Sequence, residues 1–67
     1  MKHLIHQETG IFFRKDEDVF EYYDKAEKRW LPKQITFERM QEIGIRFKEI
    51  TMEEQKKQLI LMTLKDK

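Results

Sequence analysis

The chain opens with two short apolar runs, "KHLIH" and "IFFRK", separated by "QETG". Both runs carry β-branched or aromatic residues, the composition that fits a pleated, half-buried surface. Gly10 supplies the left-handed backbone that a four-residue hairpin loop often needs. The pattern predicts a hairpin over residues 2–15.

Residues 16–33 support two competing periodicities. With period two, "VFEYY" and "RWLPK" are strands around the charged loop "DKAEK". Phe20, Tyr22 and Trp30 then fall on one face, provided the pairing keeps parity. With period 3.6, Val19, Tyr23, Ala26 and Trp30 form a helical stripe. It begins behind the acids Asp16, Glu17 and Asp18 and stops before Pro32. The β-favouring content of "VFEYY" decides for strands.

The second half of the chain turns helical. Thr36 can cap a short helix "FERMQEI", in which Phe37, Met40 and Ile43 follow at helical spacing. Gly44 stands where a helix end requires a left-handed residue. "IRFKEI" alternates apolar and charged positions and reads as a short strand or extended connector. "TMEE" is a capping box: Thr51 can accept from the Glu54 backbone, and the Glu54 carboxylate can reach back to Thr51. Ile50 is placed for a hydrophobic staple. Acids come first and lysines later, as the helix dipole prefers. A helix is predicted from Met52 to about Leu64.

That last helix has an anomaly. Leu59, Ile60, Leu61, Met62 and Leu64 spread around more than one side, whereas a surface helix keeps one apolar stripe. The surplus calls for extra burial. A second subunit or a curled sheet would supply it, and a terminal strand "QLILMTL" is the remaining option.

Length and composition narrow these readings. Sixty-seven residues make one domain at most, residues 1–67. A core that small seldom supplies more than about 3–5 kcal/mol, so small domains often recruit disulfides, metals or partners. With no cysteine, disulfides and thiolate sites are excluded. Charged residues reach 40%, yet the net charge is only +1 and aromatics make up 12%. That combination points away from disorder, which pairs few aromatics with high net charge. Lys, Glu and Ile dominate, without serine or asparagine, a bias common in AT-rich bacterial and phage genes. The N-terminus lacks a signal-peptide apolar run, and no segment approaches the ~20 apolar residues of a membrane span. A cytoplasmic location is expected.

Candidate chemistry is sparse. Phe12, Phe13, Phe20, Tyr22, Tyr23 and Trp30 cluster in residues 10–33 beside Arg14, Lys15 and Arg29. Aromatics on an open sheet among basic residues can stack on bases, at ~1–3 kcal/mol per base. But Asp16, Glu17, Asp18, Glu21, Asp24 and Glu27 crowd the same stretch and would repel phosphates. Core packing is the better reading, because so short a chain needs its large apolar residues inside. His3 and His6 are three apart, so a strand sends them to opposite faces, as exposed edge histidines rather than metal ligands. A closed zinc site needs four ligands. There is no serine or cysteine nucleophile, no phosphate-binding glycine loop and no HExxH pattern. Glu53 and Glu54 are neighbours that point apart on a helix.

These observations predict an α+β fold. A small antiparallel β-meander of three to four strands precedes a short helix and a C-terminal helix packed on the sheet. The expected function is non-enzymatic: a protein–protein interaction module that self-associates as a homodimer or binds another protein, with no cofactor and no metal. Leu61, Met62 and Leu64 are its expected contacts, with Tyr23 and Trp30 as aromatic anchors. The alternative is a single-stranded nucleic-acid binder using Phe13, Tyr22 or Trp30 with Arg14 and Arg29.

Overall fold

The computed structural model describes residues 1–65. Its elements follow in the order β1 (Lys2–His6), β2 (Phe12–Lys15), β3 (Phe20–Asp24), β4 (Arg29–Pro32), α1 (Phe37–Glu42), β5 (Phe47–Ile50) and α2 (Met52–Lys65). The fold is α+β, as the sequence predicts. The sheet is antiparallel and has five strands, in the order β4-β3-β2-β1-β5. The connector "IRFKEI" provides the extra strand. β5 lies along the open side of β1, with His3 opposite Ile50 and His6 opposite Phe47.

The first hairpin closes as predicted. The His6 N–H donates to the Ile11 carbonyl at 2.9 Å, and the Gly10 N–H donates to the His6 carbonyl at 2.8 Å. Gly10 has φ +75°. The β3–β4 loop repeats this device with other residues. The Lys28 N–H donates to the Asp24 carbonyl at 2.7 Å, and Lys28 itself has φ +58°. The Asp24 carboxylate also accepts from the N–H groups of Ala26 and Glu27, at 2.8 and 3.1 Å, which holds the turn.

That four-residue loop overturns one expectation. It pairs Asp24 with Arg29, so Tyr23 faces Trp30 and Tyr22 faces Leu31. Even positions of β3 thus share a side of the sheet with odd positions of β4, and Trp30 lies on the side of Tyr23. Phe20 and Tyr22 point to the other side. Parity is lost because the paired residue numbers sum to an odd value.

The two helices cover opposite sides of the sheet. On the α1 side, Leu4, Phe13 and Met40 are buried, and Phe20, Tyr22, Phe37 and Phe47 pack around them. Phe47 meets Phe13 edge-on with centroids 5.1 Å apart, and Phe37 meets Phe20 likewise at 5.9 Å. Each such pair adds about 0.5–1.5 kcal/mol beyond area burial. A six-residue helix is too short to persist alone. Packing of Phe37 and Met40 stabilises it, as do its two ends. The Arg39 N–H donates to Thr36 Oγ1 at 3.1 Å. At the other end, the Ile45 N–H reaches the Met40 carbonyl (3.0 Å) and the Gly44 N–H reaches the Gln41 carbonyl (3.1 Å). With Gly44 at φ +94°, this is a complete Schellman motif.

α2 begins as predicted, with half of its capping box. The Glu54 N–H donates to Thr51 Oγ1 at 3.1 Å. The Glu54 carboxylate does not return to the Thr51 backbone; its Oε1 accepts from Gln58 Nε2 at 2.9 Å. Nor is there an apolar residue to complete a staple with Ile50. The position it would meet is Gln55, which is buried.

Candidate interaction surface

Gln55 seats α2 on the sheet. Its Nε2 donates to the carbonyls of Leu4 (3.2 Å) and Phe13 (3.0 Å), and its Oε1 lies 2.8 Å from His3 Nδ1. Leu4 and Phe13 are paired across β1 and β2. Counting from the bonded pair His6 and Ile11, they are again a hydrogen-bonded pair, so both carbonyls already accept from the ladder. The Gln55 amide therefore caps the centre of the β1–β2 ladder from the α2 side. Phe12, 2% exposed, is buried on that same side.

At 3.6 residues per turn, Gln55, Gln58, Leu59 and Met62 share one side of α2. All four are buried or half-buried. The opposite side carries Glu53 and Lys57, then Ile60, Leu61 and Leu64. The outward face thus changes from charged to apolar midway along the helix. Ile60 is 61% exposed, Leu61 49% and Leu64 61%. Of the residues expected at an interface, Leu61 and Leu64 therefore stand together in the open, and Met62 turns to the opposite side. Ile60 completes the patch. Its signal in the sequence was the spacing of four to Leu64.

Tyr23 and Trp30 form a second, separate cluster on the α2 side of the sheet. Their rings meet edge-on at 5.5 Å. The Arg14 guanidinium lies 4.5 Å over the Trp30 ring, and its Nε donates to Glu21 Oε1 at 2.7 Å. All four residues are half-buried. The aromatics named for base stacking are thereby divided. Phe13 is 3% exposed, Tyr22 packs on the α1 side, and Trp30 lies on the other with Arg14 already paired to an acid.

The histidines separate as the strand period requires, but neither is at an edge. β1 is flanked by β2 and β5, and both rings are half-buried. His3 meets Gln55. His6 Nδ1 lies 2.7 Å from Thr9 Oγ1, and its ring is 6.1 Å from that of Phe47. Among the described residues no group of three or more histidines and acids is gathered for a metal, and no helix is long and apolar enough to cross a membrane. Compared with protein-family models, curated proteins and solved structures, the chain matches none.

Proposed function

We propose that this chain is a small protein-interaction module that pairs with a second copy through the outward side of the C-terminal half of α2. The observation that carries the reading is the contiguous exposure of Ile60, Leu61 and Leu64 on the side of the helix opposite Gln55. Three large aliphatic residues in one exposed row are unusual on a domain with so few buried side chains, and removing each from water is worth about 1.5–3 kcal/mol at most. A two-fold pair sets the patch against itself, so one surface serves both partners. Charged Glu53 and Lys57 on the same side bound the patch and limit its size. The contact is accordingly of the weak, small-area class.

Leu61→Glu places a charge at the centre of the patch. Light scattering across a concentration series is expected to show the parent chain doubling in mass as concentration rises, and the variant remaining a folded monomer. Equal masses for parent and variant at every concentration would remove this reading. The nucleic-acid alternative has less support, because its aromatics are split between two sides of the sheet and acids flank its basic residues.

A further inference from the structure

We propose that the corner of the sheet where β1 begins and β5 ends is a binding site for copper(I), formed by the thioethers of Met1 and Met52 and the imidazole of His3. The geometry starts from the β1–β5 register. His3 stands opposite Ile50. Extending that ladder by two residues would bring Met1 opposite Met52, just where β5 gives way to α2. His3 faces α2, where it meets Gln55, and Met1 stands two residues before it, just ahead of β1. Met1, His3 and Met52 line one open cavity, together with the β5–α2 junction at Ile50 and Thr51. Neither thioether is committed to the core, since Met1 is 60% and Met52 51% exposed.

The state of His3 follows from Gln55. Two carbonyls face one end of the Gln55 amide, so that end is the NH2 group and the other is the oxygen. Its partner His3 Nδ1 must therefore donate. In the neutral ring the lone pair is then on Nε2, on the side away from Gln55. A histidine ligand held by a hydrogen bond from its other nitrogen is the usual arrangement at metal sites. Two thioethers and one imidazole make a soft donor set. Such a set selects copper(I) over zinc, which is held by four ligands of thiolate, imidazole or carboxylate type. None of this was legible in the histidine spacing, because the two methionines are far apart in sequence and only the β1–β5 pairing joins them.

The test is a titration of the untagged chain, labelled with 13C at the methionine methyls, with copper(I) kept reduced by ascorbate under argon. Expected are saturation at one equivalent, shifts of the Met1 and Met52 methyls and of the His3 ring, and unmoved Met40 and Met62 methyls. Met52→Leu keeps a good helix former at an exposed position. It is expected to weaken binding by about tenfold or more, at least what loss of an outer-shell partner costs a metal site. Met62→Leu is expected to leave binding unchanged. The proposal is overturned if all four methyls shift alike, if Met52→Leu binds as tightly as the parent, or if no methyl shifts at one equivalent.

Discussion

Lys28 occupies the loop position in β3–β4 that Gly10 occupies in β1–β2, and the two show what a left-handed residue costs. Both close the loop with an N–H to the carbonyl four residues back. Lys28 has φ +58° with a β-carbon, a conformation that costs an L-residue about 1–2 kcal/mol. Glycine there would remove that cost and add about 0.5–1 kcal/mol of backbone entropy loss. Lys28→Gly is therefore expected to stabilise the fold, by up to about 1 kcal/mol. Gly10→Ala is expected to destabilise it by a similar amount. Nothing lies within 4 Å of a β-carbon built at Gly10, so the penalty there is conformational and not steric. Urea midpoints should move in opposite directions in the two variants with unchanged slopes. A lower midpoint for Lys28→Gly would mean that the lysine side chain contributes more than its backbone costs. Gln55 makes the converse point. A buried polar residue is tolerable because all its donors and its acceptor are used, and no buried side-chain polar atom lacks a partner among the described residues.

At the scale of elements, the β4 edge of the sheet is protected by its own backbone. The Lys33 N–H donates to the Phe20 carbonyl, so by alternation the backbones of Trp30 and Pro32 turn outward from β4. Pro32 has no N–H to offer there, which blunts the edge against further strands. Pro32→Val restores a donor on an exposed β-favouring position. It is expected to raise thioflavin-reactive aggregation on gentle heating while leaving the far-ultraviolet spectrum of the fresh protein unchanged; aggregation at the parental rate would show that the proline is not what guards this edge. The first hairpin, both helices and their caps were legible because each is encoded locally, in Gly10, Thr36, Gly44 and Thr51, whereas residues 16–33 supported a helical period as well and only the β-favouring content of "VFEYY" decided for strands. The partner of β5 was not, since pairing with β1 joins residues more than forty apart and leaves no mark in either segment. The face of Trp30 was misread because it depends on the length of one loop. The interaction surface was half legible. The surplus of apolar residues in α2 was plain, but which of them face out was hidden by Gln55 and Gln58, polar residues on the buried side that reverse the usual rule.

On the scale of the molecule, the sheet divides an already small core. Leu4, Phe13 and Met40 are buried on one side, and Phe12 on the other. A domain of this size is left with about 3–5 kcal/mol, so anything that binds only the folded state shifts its stability visibly. Pairing through Leu61 would be such a linkage. At a concentration about 100-fold above the dissociation constant it would contribute about 2.7 kcal/mol. For a domain under a hundred residues that corresponds to a rise in Tm on the order of 10 °C. The parent chain is thus expected to melt higher as it is concentrated from micromolar to millimolar, and Leu61→Glu is expected to melt at one temperature throughout. Calorimetry at several concentrations separates this from the fold itself. A parent Tm that does not move, in a chain that light scattering shows to double in mass, would mean that the contact forms equally well between unfolded chains and owes nothing to the row that α2 presents. A Leu61→Glu variant whose Tm still rises with concentration would place the contact elsewhere, with the Tyr23 and Trp30 cluster the next surface to substitute.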